Sequence, residues 1–358
     1  MELKPKWIAL EVTRRCNLRC VHCRSGSEME VKGHPDFSTE EAFRILDDIA
    51  SYTNSVVVLS GGEPMLREDI FDIARYGADR GLRMALATNG VFVTEDACKK
   101  IKESGIEIIS LSLDGPTAEV HDNFRGQDGA FASAVRAAQL LKQHNIEFVI
   151  NSSFTKRNQK EIPATYRLAK ELGATAWYMF MVIPTGRGED LMSELISGDD
   201  YEEVLEWHYQ MEKDEDELIV RPACAPHYYR IVIEKAKAGK SKPKTRPLKF
   251  APSNSRGCVV GKVICVIDVD ENVLPCSYFP KAAGNLREQS LKNIWENSEL
   301  FKELRNLGEY KGKCGECKYI TVCGGCRARA YSIHGDYLRE DSFCSYIPKK
   351  PVLVRRCS

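Results

Sequence analysis

The sequence has no excess of either charge, no long apolar run and no low-complexity tract. Its 51 Lys and Arg balance 51 Asp and Glu, so no net field draws the chain toward nucleic acid or an anionic membrane, and any anion recognition must be local. No stretch reaches the roughly 18 consecutive apolar residues that a transmembrane helix needs. The opening residues, MELKPKWIALEV, lack the apolar core and small-residue cleavage site of a secretory signal. A cytoplasmic protein without a nucleic-acid or membrane partner is expected. Cysteine, in contrast, is plentiful. A chain of 358 residues can bury enough apolar surface to fold without crosslinks, and disulfides rarely persist in a reducing compartment, so 14 cysteines point to metal or redox chemistry.

Along the first half, short β-branched runs alternate with helix-period segments. Strands are expected at Ile8–Val12, Val56–Leu59, Met84–Ala87, Ile108–Leu113, Phe148–Ser152 and Tyr178–Ile183, with helices such as Thr39–Tyr52 and Gly129–His144 between them. Such βα alternation implies an α/β fold with a parallel sheet, either doubly wound or an incomplete barrel. From Asp199 to Lys237 the pattern is helical, interrupted around Arg221-Pro222-Ala223-Cys224, and a basic, proline-containing linker runs from Lys235 to Pro252. A hairpin at Val263–Pro275 and a helix over Ser290–Leu304 precede a cysteine-rich end. The expected divisions are 1–198, 199–252 as helical bridge and linker, 253–347 as a second domain, and 348–358 as a tail.

The ends of successive strands carry polar and glycine motifs: a cysteine loop, then Gly61-Gly62-Glu63-Pro64, then Thr88-Asn89-Gly90, then Asp114-Gly115. In parallel α/β folds these ends line one mouth. Cys16, Cys20 and Cys23, spaced CxxxCxxC, can hold three irons of a cubane and leave the fourth iron open, or form part of a zinc site. His22, between two of them, reads as a packing or hydrogen-bonding residue.

CNLRCVHC followed by GGEP resembles the radical S-adenosylmethionine (SAM) superfamily. The resemblance implies a partial (β/α)6 barrel and a [4Fe–4S] cluster whose open iron chelates the amino and carboxylate groups of SAM. It further implies that Gly61, Gly62 and Glu63 contact the SAM amino group and that Asn89, Ser112 and Asp114 face its ribose or carboxylate. Arg125, in HDNFRG, is a candidate partner for the SAM carboxylate or, beside Asp122 and Asp128, a surface ion pair. The run CGECKYITVCGGC resembles the SPASM auxiliary-cluster domain. That likeness assigns one auxiliary [4Fe–4S] cluster to Cys314, Cys317, Cys323 and Cys344, and a second to Cys258, Cys265, Cys276 and Cys326. Two departures stand out: CxxC in place of CxxxC at Cys323–Cys326, and Glu271 where a glycine usually precedes Cys276. By spacing alone, a zinc ribbon stays open. Cys98 reads as packing and Cys357 as part of the tail.

Cys224-Ala225-Pro226-His227-Tyr228-Tyr229-Arg230 and GGCRARAYSIHGDYL resemble the radical SAM enzymes of the sirohaem-derived haem route, above all the decarboxylases that turn iron coproporphyrin III into haem b. Asn254-Ser255-Arg256-Gly257 stands where the related deacetylases carry a GGNSSG-like element. The implied partners are an iron porphyrin, SAM and a low-potential donor such as flavodoxin or ferredoxin. Arg187, Arg221, Tyr228, Tyr229 and Arg230 are the candidate porphyrin contacts, and Cys224 or His227 the candidate axial ligand. Rival expectations are a deacetylase of a sirohaem derivative, a peptide-modifying SPASM enzyme, for whose N-terminal recognition module a first strand at Ile8 leaves no room, and a non-catalytic redox regulator.

Overall fold

The computed structural model describes residues 3–31, 36–239, 243 and 256–348; most of the Lys235–Pro252 linker, Asn254, Ser255 and Cys357 lie outside the described residues. Seven strands succeed one another: β1 (Trp7–Thr13), β2 (Val56–Gly61), β3 (Arg83–Thr88), β4 (Ile106–Ser112), β5 (Phe148–Phe154), β6 (Ala176–Met181) and β7 (Ile219–Ala223). Each pairs in parallel with the strand before it. The connections contain α1 (Thr39–Tyr52), α2 (Ile70–Asp79), α3 (Glu95–Glu103), α4 (Ala118–Arg125), α5 (Ala130–Gln143), α6 (Ile162–Glu171) and α7 (Gly198–Asp214), and α8 (Tyr228–Lys237) follows β7. Three short strands, β8 (Ile264–Ile267), β9 (Asn272–Leu274) and β10 (Gly284–Asn285), extend the sheet beyond β1 to the order β10-β9-β8-β1-β2-β3-β4-β5-β6-β7. Helices α9 (Leu291–Asn297), α10 (Glu299–Arg305), α11 (Gly312–Gly315) and α12 (Arg327–His334) complete the described chain.

Side-chain alternation decides between the two α/β architectures. Ile8 and Leu10 of β1, Val57 and Leu59 of β2, and Met84 and Leu86 of β3 enter one core with Ile45 of α1, Ile101 of α3, Leu141 of α5 and Leu205 of α7. The intervening residues, Val56 and Val58, Ala85, Ile108, Val149 and Ala176, form a separate cluster on the opposite face, to which no helix contributes among the described residues. A doubly wound sheet buries helices on both faces; helices on one face alone make the other face the lumen of an open barrel. The sheet is open because β7 and β10 are its edges.

Two segments differ from the sequence expectation. The interruption at Arg221-Pro222 is strand β7, and its place at the sheet edge explains how a proline, which lacks an N–H for the ladder, is accommodated there. The single helix expected over Ser290–Leu304 is two, because Ser298 takes an extended ψ of 130° and serves as the end of α9 and the start of α10. The sheet also runs across the first two of the three expected divisions, since β7 joins β6 and β8 joins β1.

The β8–β9 turn accounts for the departure at Glu271. This residue has φ +65°, where glycine is ordinarily favoured, yet it is fully buried and its carboxylate is clamped by Arg44 and Arg287. Ion pairing thus compensates backbone strain. Both Glu271→Gly and Glu271→Ala lose the pairing, but only alanine retains the left-handed strain, so in chemical unfolding the glycine variant is expected to be more stable than the alanine variant by about 1 kcal/mol.

Candidate functional site

Residues 14–31 leave β1 at the barrel mouth as a loop whose three thiols each meet a hydrogen-bond donor. The Leu18 N–H reaches Cys16 Sγ at 3.4 Å, Ser25 Oγ lies 3.6 Å from Cys23 Sγ, and the Arg125 guanidinium is 3.7 Å from Cys20 Sγ. Burial pushes the Cys16 thiol up to about 11. Burial also acts to raise Cys23, but hydrogen bonds from Ser25 and nearby backbone, with Arg187, outweigh it and leave that thiol below its ordinary value. His22 stacks on Phe124 with centroids 4.3 Å apart, the packing role expected for it. Three thiols ringed by N–H and O–H donors on a short loop are the donor set of a cubane with one iron left to a small molecule.

The GGEP segment is pinned against this loop. The Gly62 N–H donates to Thr13 O at 2.7 Å and the Glu63 N–H to Arg15 O at 2.8 Å. Any Cβ at Gly62 would lie 2.1 Å from the Arg15 carbonyl oxygen, so contact between the two loops requires glycine there. The Glu63 carboxylate is buried and accepts from Thr88 Oγ1 at 2.9 Å, Asn89 N at 2.8 Å and Met65 N at 3.2 Å, bracing the ends of β2 and β3. Asn89 also donates through Nδ2 to Asn17 Oδ1 at 2.8 Å, inside the cysteine loop. Ser112 ends β4 on the lumen face.

Asp114 and Arg125 stand apart from the surface pairing considered for Arg125. Asp114 is fully buried, accepts from Ser153 N at 2.7 Å and pairs with Arg125 Nε at 2.6 Å, while Asp122 instead accepts from the Gly129 and Phe131 N–H groups. The Asp114 carboxylate is therefore committed to holding Arg125 against Cys20. Arg187 is likewise a clamp: its side chain donates to Cys20 O at 2.9 Å and Ser27 O at 3.0 Å, and its N–H to Cys23 O at 3.0 Å.

In the C-terminal region, Cys314, Cys317, Cys323 and Cys344 line one cavity, the set expected for the first auxiliary cluster. Backbone N–H groups of Tyr319, Gly325 and Asp341 reach Cys317, Cys323 and Cys314 at 3.4, 3.4 and 3.5 Å. Gly324 and Gly325, at φ +72° and +60°, let the shortened CxxC turn between Cys323 and Cys326. Cys258, Cys276 and Cys326 gather in a second cluster, but Cys265 does not join them. It sits on β8 in register with Ile8 and faces the helical layer, because a strand residue shares the face of its parallel partner. Among the described residues, all cysteines are free and no three His, Cys, Asp or Glu converge closely enough to hold one metal ion.

The expected porphyrin contacts separate in the same way. His227 is buried and bonded through Nε2 to Asp341 at 3.0 Å; Tyr228 OH donates to Glu212; Arg230 pairs with Glu202 and Glu234. These three have structural partners. Arg221 projects from the lumen face of β7 beside Tyr178 in the register, 3.0 Å from Glu212, and Tyr229 shares that electrostatic neighbourhood. Tyr178 was not picked out from the sequence, although the alternation in AWYMFM separates Tyr178 and Phe180 from Trp177 and Met179.

Comparison with known proteins agrees with this geometry. Residues 10–185 match the model of the radical SAM superfamily, and residues 258–327 that of the SPASM iron–sulfur cluster-binding domain. The chain is 45% identical to the AdoMet-dependent heme synthase of Methanosarcina barkeri, over 97% of this chain and 98% of that one. It is 41% identical to the AdoMet-dependent heme synthase of Nitratidesulfovibrio vulgaris, over 96% and 93%. Streptococcus suis SuiB bound to S-adenosylmethionine shares the fold with a TM-score of 0.74 at 17% identity, covering 96% of this chain and 77% of SuiB.

Two outcomes follow from the mouth. Arg125→Ala strands the buried Asp114 carboxylate and is expected to cost about 3–5 kcal/mol in chemical unfolding, part of which Asp114→Asn in the same chain restores. Burial raises Glu63 from its ordinary 4.5 to about 7 despite its hydrogen bonds. The folded state therefore binds this proton more tightly than the unfolded state, and Glu63 lowers stability as pH rises across that window. Glu63→Gln is expected to flatten this slope, measured by unfolding the cluster-free chain between about pH 5 and about pH 8.

Proposed function

This chain belongs to the radical SAM superfamily, and from that premise we propose that it converts two propionates of iron coproporphyrin III to vinyl groups, giving haem b. Similarity to the haem synthases along nearly the whole chain carries the reading. Each conversion removes a hydrogen atom from the propionate β-carbon, then carbon dioxide and one electron. When loaded, the N-terminal site supplies SAM cleavage to a 5′-deoxyadenosyl radical, and the auxiliary sites supply an electron acceptor.

The residues of this chain perform binding, orientation and water exclusion. Arg221, held by Glu212, presents a guanidinium on the lumen face suited to a propionate carboxylate. Tyr178 and Tyr229 offer ring faces to a macrocycle. Below them, Val56, Val58, Ala85, Ile108 and Val149 form an apolar floor that leaves water few partners near the reacting carbon. Arg187 and Arg125 fix the cysteine loop, and Glu63 and Asn89 fix the adjoining strand ends, so the mouth is pre-organised. In this reading the electron donor is a flavodoxin- or ferredoxin-like protein.

Anaerobic incubation of the reduced, reconstituted protein with SAM and iron coproporphyrin III is expected to give 5′-deoxyadenosine and two successive losses of a formic-acid equivalent by mass spectrometry. Acetate release from a sirohaem derivative would identify a deacetylase instead. Joint replacement of Cys16, Cys20 and Cys23 by alanine is expected to abolish SAM cleavage while auxiliary iron remains. Arg221→Gln is expected to raise the porphyrin KM roughly tenfold or more, the loss of one charge-assisted contact.

A further inference from the structure

We infer that Cys224, rather than Cys265, is the fourth thiolate of the auxiliary site formed with Cys258, Cys276 and Cys326. Cys224 leaves the end of β7 and packs into the same cluster as these three residues, about Ile183, Val260 and Phe279. Its thiol has Cys326, Cys276 and Cys258 as electrostatic neighbours, whereas among the described residues no other thiol acts on Cys265. The placement of Cys265 is explained without a metal: it fills a position between β1 and the helical layer, where a small apolar side chain packs well.

The backbone of Cys224 is held with unusual firmness. Its φ is +56°, a left-handed conformation that costs a non-glycine residue about 1 kcal/mol and persists where the surroundings over-determine it. The Cys224 carbonyl accepts from Tyr201 OH at 3.1 Å and from Arg329 at 3.3 Å. Arg329 is paired at 2.8 Å with Asp341, whose Oδ2 accepts the Cys326 N–H at 2.8 Å. One buried ion pair therefore sets the main-chain positions of Cys224 and Cys326 together. Four thiols from the β7 exit, the start of the second region, the segment after β9 and the start of α12 complete a four-thiolate cubane site. This ligation occupies the Cys224 sulfur, so it is not an axial ligand of a substrate iron. The inference is independent of which substrate the barrel takes.

The test uses the full chain, reconstituted anaerobically, with iron and sulfide counted and the reduced protein examined by EPR. Cys224→Ala and Cys224→Ser are each expected to change the signal of one auxiliary cluster and to lower iron by up to one cubane. Cys265→Ala is expected to leave iron, sulfide and spectrum as in the parent protein. Iron loss through Cys224→Ser should not add to that of Cys258→Ser, because both act on one cluster, but should add to that of Cys314→Ser. This additivity separates ligand loss from general destabilisation if the alanine variant folds poorly. Iron loss in Cys265→Ala with unchanged Cys224 variants would overturn the inference, as would unchanged signals in both or additive losses from Cys224→Ser and Cys258→Ser.

Discussion

The auxiliary region depends on one ion pair, Arg329 with Asp341, both fully buried. Asp341 accepts from Arg329 Nε and from its terminal nitrogen at 2.8 Å, from the Cys326 N–H at 2.8 Å and from His227 at 3.0 Å. Arg329 in turn reaches the Cys224 carbonyl and Tyr201 OH, with its guanidinium over the rings of Tyr201 and Phe343. Burial alone would raise the Asp341 carboxyl, but Arg329 and His227 hold it well below the ordinary carboxylate range. A pair this dry is stable only because its hydrogen-bonding groups are so extensively matched, and removing one partner leaves a buried uncompensated charge. It ties α7, the β7 exit, α12 and the C-terminal segment into one body around thiols that would otherwise belong to separate loops.

The same logic runs through the turns beside those thiols. Gly324 and Gly325 take left-handed conformations cheaply, which allows two residues to do the work of three between Cys323 and Cys326. Glu271 takes such a conformation against its steric preference and is held by Arg44 and Arg287, while Cys224 does so under Tyr201 and Arg329. Strain at a non-glycine residue therefore coincides with a charged or hydrogen-bonded clamp in both cases. Each departure from the usual SPASM spacing has a local physical compensation.

Much of the barrel was legible because its information is periodic. Strand alternation and the helical repeat located the six expected βα units, and the motifs at strand ends indicated the mouth. Whether helices cover one face or both was not legible, since an apolar run does not state its partner. The three N-terminal thiols were readable from spacing because a single loop carries them. The packing of Cys224 beside Cys258, Cys276 and Cys326 was not, because Cys224 follows β7, distant in sequence, and only tertiary structure brings it to them. Cys265 is the complementary case: it lies near Cys258 and Cys276 in sequence but packs with the helical layer rather than with them. The intramolecular partners Cys20 of Arg187, Asp341 of His227 and Glu202 of Arg230 were likewise not legible, because each comes from a segment distant in sequence.

These commitments narrow where a neutral chain could hold the anionic macrocycle of the proposed reaction. Arg125 is paired with Asp114 and Arg329 with Asp341, so their charge is largely balanced before any substrate enters, while Arg187 is directed at backbone carbonyls of the cysteine loop. Arg221 is different in position: it stands on the lumen face beside Tyr178, and Glu212 meets it from α7. A carboxylate arriving there would share the guanidinium with Glu212 rather than displace bulk water from an exposed cation. Such an arrangement favours orientation over raw affinity, since the partner's hydrogen bond fixes the arginine before binding and limits the ordering required afterwards. Under the proposed decarboxylation, which has to select one carbon of a flexible propionate, a fixed cation beside an aromatic wall and above an apolar floor would supply the constraint that net charge does not.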